Sequence, residues 1–209
     1  MAHRFRTLFP CVSAALYATF LLLDLTGAAD STPVKFAAIL LCFFSSLLCL
    51  QTADGRLTAA ALAGAVCADW FLLLPGHSYP VGVLLFCVVQ AAYALRLCHM
   101  QGKQFRPALP LRLLPLLLFA LPLPKLAALS LFYFANLTAN VREALRAAAH
   151  SGAARLFAVG LLLLMCCDLC VGAVQLGLLT GFTGIGMWLF YLPSQVCIVL
   201  SAEPKGKNL

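Results

Sequence analysis

Two carboxylates stand where carboxylates are costly. Asp69 lies in the run Ala65-Val66-Cys67-Ala68-Asp69-Trp70-Phe71-Leu72, and Asp168 closes the run Leu164-Met165-Cys166-Cys167-Asp168. An ionisable group inside such an apolar stretch marks a functional site by default, because hydrocarbon does not solvate charge. Two carboxyl groups in a water-poor site can also divide the labour of acid and base, one staying protonated while the other ionises. Asp24 is a third acidic residue, close enough to the end of its apolar run to reach an interface. Uncharged polar residues in the same kind of segment have a plainer reading as interhelical hydrogen bonds, worth about 1 kcal/mol each.

Other chemistries lack their residues. His3, His77, His99 and His150 fall at termini, loops or segment ends, so no set of imidazoles within the apolar runs can hold zinc or serve a nucleophile. There is no GxSxG elbow, no phosphate loop and no dinucleotide fingerprint. Cys167 and Cys170 make one CxxC without a second pair, and all ten cysteines sit in apolar stretches, where free Cys behaves as a small hydrophobe. Asn136-Leu137-Thr138 has the form of a glycosylation sequon but lies inside an apolar run.

The elements that must position these residues follow from composition. The chain has 209 residues, 63% hydrophobic and 10% charged, with a mean hydropathy of +0.99. Such a chain is short of the charged residues needed to cover a water-soluble core. A bilayer is spanned by about 20 apolar residues in a helix, since every backbone amide must be satisfied within the segment. This parses the chain as one all-α transmembrane domain, a polytopic bundle of about eight helices, at roughly 8–28, 34–51, 57–74, 79–98, 109–123, 125–141, 153–177 and 184–201. Turn chemistry separates them: Gly27 to Pro33, Thr52 to Gly55, Pro75 to Pro80, Gly102 to Pro110, Pro122 with Pro124, and the glycine-rich run from Gly177 to Gly186. Pro115 predicts a kink inside the fifth span.

With the N-terminus inside, one side receives Arg4, Arg6, Arg56, Arg96, Lys103, Arg106, Arg112, Arg142, Arg146, Arg155, Lys205 and Lys207, and the other only Lys35 and Lys125. That asymmetry predicts an even number of spans with both termini cytoplasmic. The net charge of +7 is spread singly over segment ends as topology signals and headgroup contacts, which argues against nucleic-acid binding. A competing reading makes the first run a signal peptide ending at Gly27-Ala28-Ala29, against which stand its length and Asp24.

In this topology Asp69 and Asp168 both fall in the outer half of the membrane, at depths about 5–8 Å apart, and can share one cavity. Returning helices bring Lys35, Gln90 with Tyr93, and Tyr191 with Ser194 and Gln195 to overlapping levels, as candidate substrate-binding groups; Asn136 and Asn140 lie deeper. Lys35 has a plainer alternative, snorkelling to the outer surface.

Several segments together resemble the YhhN family of membrane proteins, which includes the lysoplasmalogenases. They are Pro33-Val34-Lys35, the run around Asp69, Tyr79-Pro80-Val81-Gly82 followed by Phe86, Gln90 and Tyr93, the run ending at Asp168, and Trp188-Leu189-Phe190-Tyr191-Leu192-Pro193-Ser194-Gln195. The resemblance extends from about residue 12 to residue 201. It implies an eight-helix enzyme that hydrolyses the vinyl ether bond of lysoplasmalogens, a lysophospholipid class, to a fatty aldehyde and a glycerophospho-alcohol. It also implies that Asp69 and Asp168 are catalytic. The chain departs from the family pattern at Ala68, where Gly is expected, and at Gln90, where His is expected. The scheme requires no metal or cofactor.

The alternative is a non-enzymatic membrane protein, a small-solute or proton-coupled transporter or a lipid-binding scaffold, since transporters also use buried carboxylates. The lack of internal symmetry weighs against a transporter. Both a bacterial cytoplasmic membrane and an endoplasmic reticulum membrane fit the composition.

Overall fold

The computed structural model describes residues 2–73, 78–178 and 183–202. Pro75, His77, residues 179–182 of the glycine-rich run, Lys205 and Lys207 lie outside the described residues, as do the side chains of His3, Arg4 and Arg6. Eight α-helices follow in order: α1 (Ala2–Thr26), α2 (Thr32–Ser46), α3 (Ala53–Leu73), α4 (Tyr79–Gln101), α5 (Leu109–Leu113), α6 (Lys125–Ala147), α7 (Gly152–Gln175) and α8 (Thr183–Leu200). Short 3₁₀ turns extend α2 and flank α5, and no strand occurs among the described residues.

Local chemistry sets the helix ends. Pro33 and Pro80 stand in the first turns of α2 and α4, where a fixed φ is already helical and the missing N–H has no partner to lose. In the turn before α2, the Thr32 amide donates to Asp30 Oδ1 at 3.0 Å and holds that exposed carboxyl below the usual carboxylate range. Gly102, at φ 62°, ends α4 by turning the Lys103 amide back to the Cys98 carbonyl at 2.9 Å. Ser151 caps α7, its hydroxyl accepting from the Ala154 amide at 3.0 Å.

Five helical stretches are long and apolar enough to cross a membrane: Thr7–Thr26, Thr32–Cys49, Ala53–Leu73, Tyr79–Gln101 and Gly152–Gln175. The chain is an integral membrane protein. The α8 stretch is apolar but shorter, and α6 is less apolar because Asn136, Asn140, Arg142, Glu143 and Arg146 interrupt it.

The fifth span differs from the kinked helix predicted. A five-residue helix gives way to a 3₁₀ segment, Leu114–Ala120, with Pro115 in its first turn. Proline removes a donor and crowds the carbonyl four residues back, so the α-pattern cannot continue through it. The segment still traverses the bundle. The Gln101 amide at the end of α4 donates to the Glu143 carbonyl near the end of α6 at 3.1 Å, so α4 and α6 point the same way. The chain between them must therefore return along α6, and the Asn136 amide meets the Arg112 carbonyl at 3.2 Å partway up that path.

The remaining helices form a closed ring in the order α1, α2, α3, α4, α6, α7, α8, with α8 also touching α2 and α3. Neighbours approach closely where side chains are smallest. A Cβ on Gly160 would lie 3.1 Å from the Ser194 carbonyl, so α7 and α8 pack nearly backbone to backbone. Leu22, Phe44, Val88, Leu117 and Leu169 face outward, toward lipid.

Candidate functional site

The site is built where α3, α4, α6, α7 and α8 converge, in the half of the bundle remote from the Gln101–Glu143 end. Asp69 lies one turn before the end of α3 and is buried. A small-residue face makes room for it: Ala65 and Ala68 are fully buried, and a Cβ on Gly82 of α4 would come within 2.6 Å of Leu72. From α8, the Tyr191 hydroxyl donates to Asp69 Oδ2 at 2.7 Å.

Asp168 has a longer set of partners. The Tyr133 hydroxyl, from α6, donates to Asp168 Oδ2 at 2.5 Å. Gln90 Nε2, from α4, faces that hydroxyl at 3.4 Å, and the Asn140 amide of α6 donates to Gln90 Oε1 at 2.8 Å and to the Gln90 carbonyl at 2.9 Å. The donors therefore point in one direction, from Asn140 through Gln90 and Tyr133 to Asp168. The two carboxyl groups lie within electrostatic range of each other. Phe86 stands between their tyrosines, its ring edge-on at 6.1 Å to Tyr133 and 6.4 Å to Tyr191. No ion pair to either carboxylate occurs among the described residues, and no three His, Cys, Asp and Glu side chains there gather into a metal cluster.

The other candidates are placed differently. Lys35 does not snorkel away. It is buried and paired with Asp24 at 2.8 Å, Asp24 also accepts from the Ser31 hydroxyl, and the ammonium lies 5.2 Å over the Trp188 ring. Trp188 in turn packs edge-on against Tyr191 at 5.4 Å, so Lys35 adjoins the Asp69 side of the site through one aromatic layer. Tyr93 is fully buried, edge-on to Phe157 at 5.6 Å. Its hydroxyl, the Ser194 hydroxyl and the Gln195 amide have no hydrogen-bond partner among the described residues. The Asn136 amide is engaged by the Arg112 and Phe132 carbonyls and stands apart.

Two features escaped the sequence. Tyr133 sits in Phe132-Tyr133-Phe134 and looks like one more aromatic; its signal was the shared face with Leu137 and Asn140, at the helical spacing of four and seven. Arg96, one of the charges assigned to the inner side, is also fully buried, with two 2.8 Å hydrogen bonds to the Asp54 carboxylate and its guanidinium 4.2 Å over the Phe157 ring. A buried guanidinium needs such partners, and Asp54 supplies them from the first turn of α3.

Comparison with known proteins adds a family. The profile described as the YhhN family matches residues 30–202, from the turn before α2 to just past α8. No curated protein and no solved structure matches the chain.

Proposed function

The chain belongs to the YhhN family, and from that premise we propose that it is a membrane-embedded hydrolase acting on the vinyl ether bond of lysoplasmalogens. The observation that carries this reading is a pair of intramembrane carboxyl groups, within electrostatic range of each other and each oriented by a tyrosine from a different helix. Carboxylates without a cationic partner are a poor choice for holding helices together. They suit a reaction that needs one acid and one anion.

A vinyl ether is protonated on the alkene carbon distal to oxygen, which leaves an oxocarbenium-like cation. Water adds to that cation, a proton is returned, and the hemiacetal collapses to an aldehyde and the glycerophospho-alcohol. The net reaction consumes one water. Asp168, at the end of the donor relay, serves as the anion that stabilises the cation and orients water. Asp69, held by the Tyr191 hydroxyl, delivers the proton. The alkenyl chain enters laterally between helices. Lys35, its ammonium fixed by Asp24 and Trp188, contacts the phosphate, while Gln90, Tyr93, Tyr191, Ser194 and Gln195 line the substrate path. The arginine-rich end of the bundle lies on the cytoplasmic side with both termini.

The test is aldehyde release from lysoplasmenyl lipid by the purified chain in detergent. Release above that of an Asp69→Asn, Asp168→Asn double variant supports the reading. If the wild-type protein releases none, a transporter or lipid-binding scaffold takes its place, with the unpartnered Tyr93, Ser194 and Gln195 as the polar lining of its path.

A further inference from the structure

At the opposite end of the bundle the short α5 segment leaves a second space. A cavity of about 540 Å³ opens between it, α4 and α6. Its floor is made of alanines, Ala94 on α4 with Ala135 and Ala139 one turn apart on α6, and its outer wall of Leu111 and Pro115. The proline-broken segment is too short and irregular to fill the groove those alanines leave. Leu97 and Ala108 add to this apolar lining.

Its mouth is cationic. Lys103, Arg112 and Arg142 line it with one carboxylate, Glu143. Glu143 is already engaged, by Arg146 at 2.8 Å and by Lys103 at 3.5 Å. Arg112, half-buried, and Arg142, exposed, have no ion-pair partner among the described residues. On α6, Ala135, Ala139 and Arg142 fall roughly on the opposite side of the helix from Tyr133, about 180–240° around its axis, so this space lies on another face than the carboxylate pair.

We propose that the cavity between α4, α5 and α6 binds one anionic glycerophospholipid, its phosphate held by Arg112 and Arg142 and an acyl chain laid along Ala94, Ala135 and Ala139. Charge complementarity selects this occupant. A zwitterionic lipid brings its own ammonium to a mouth that already holds uncompensated guanidinium groups, whereas an anionic lipid neutralises them. Arginine's planar donors suit phosphate oxygens, and basic pockets between membrane helices are recurrent headgroup sites. This site goes beyond the hydrolase reading, and a binding measurement succeeds or fails whether or not the chain releases aldehyde.

The experiment uses the full chain in detergent with added phosphatidylglycerol, phosphatidylcholine of the same acyl chains, or inorganic phosphate, read by native mass spectrometry and by thermal unfolding. The expected result is one retained phosphatidylglycerol per chain, a raised unfolding temperature, and a preference over phosphatidylcholine of roughly ten-fold or more. Arg142→Gln is expected to weaken that preference several-fold, and Arg112→Gln with Arg142→Gln to abolish it. Arg142 is exposed, so its single variant carries the test should the double variant fail to fold. Equal retention of the two lipids, or an unchanged preference in Arg142→Gln, overturns the proposal. So does an equal thermal shift with inorganic phosphate, which would assign the arginines to a free anion.

Discussion

The bundle buries charge at two levels and treats it in opposite ways. Toward one end, Arg96 is fully enclosed and its guanidinium is answered by the Asp54 carboxylate, the Ile198 carbonyl and the Phe157 ring. Toward the other, Asp69 and Asp168 accept hydrogen bonds from tyrosine hydroxyls and have no ion pair among the described residues. A satisfied ion pair fixes helices in register, and its value is lost when either member goes. Carboxyl groups without a counter-ion keep their capacity to exchange protons. On the proposed reading, the lower pair, Arg96–Asp54, holds helices together, and the upper pair, Asp69 with Asp168, supplies the acid and the anion.

The sharpest way to break this comparison is to neutralise the upper carboxylates. Asp69→Asn and Asp168→Asn are each expected to lower aldehyde release by about 10²- to 10⁴-fold, the usual scale of acid–base assistance. Detergent stability should barely change, because asparagine keeps the shape and still accepts from the tyrosine. The double variant should be little worse than either single one, since the two groups act as a unit. Near-normal rates in both single variants would sink the catalytic assignment.

The lower pair should respond in the reverse sense. Arg96→Met leaves the Asp54 carboxylate without its partner; because the Asp54 side chain keeps 24% of its surface exposed, the loss is expected to be about 1.5–3 kcal/mol, the scale of a charged hydrogen bond, and below that of a fully buried pair. Denaturant or thermal unfolding in detergent reads that loss directly. Arg96→Met combined with Asp54→Asn should recover part of it, as the stranded charge is removed with its partner. A large loss of activity in folded Arg96→Met protein would show that the two levels are not independent.

Between the carboxylates, the two tyrosines sharpen the contrast. Among the described residues Tyr191 alone donates to Asp69, whereas Tyr133 joins Asp168 to Gln90 and Asn140. Hydrogen bonds to charged groups contribute about 1.5–3 kcal/mol. Tyr133→Phe is therefore expected to lower kcat by about ten-fold or more, and Tyr191→Phe by less, because a proton donor depends less on a hydrogen bond that stabilises its anion. Equal effects in kcat would remove the division of roles.

How much of this was legible follows from the kind of signal each residue carries. Asp69 and Asp168 stood out because a carboxylate in an apolar run is conspicuous in one dimension. The eight helices were legible too, since length and apolarity mark them, although α6 and α8 are not among the five stretches long and apolar enough to cross a membrane and the proline-rich fifth segment departs from regular geometry. Tyr133 was hidden because tyrosine among phenylalanines has no one-dimensional contrast. The burial of Arg96 was hidden for a related reason: as one of twelve basic residues assigned to one side, it carries no one-dimensional mark of its contact with Asp54, 42 residues away. Partnership across helices is a three-dimensional property, and a sequence pattern does not display it.

The smallest effect expected is at Gln90, and it tests the relay most finely. Gln90 accepts from Asn140 through Oε1 and faces Tyr133 through Nε2, so its two side-chain roles are one acceptor and one donor. A neutral imidazole offers the same two functions on its two ring nitrogens. Gln90→His should therefore keep activity within about three-fold at neutral pH or above, where a reference imidazole is uncharged. A protonated imidazole donates from both nitrogens and can no longer accept from the Asn140 amide. On that basis the variant should lose activity relative to the wild-type protein as pH falls through the imidazole's titration, near 6.5 for an unperturbed group, while the two profiles converge at higher pH. The measurement is the ratio of variant to wild-type rate across pH. A flat ratio near one would show that the Asn140 hydrogen bond has no part in orienting Tyr133, and that the Asp168 arm begins at the tyrosine.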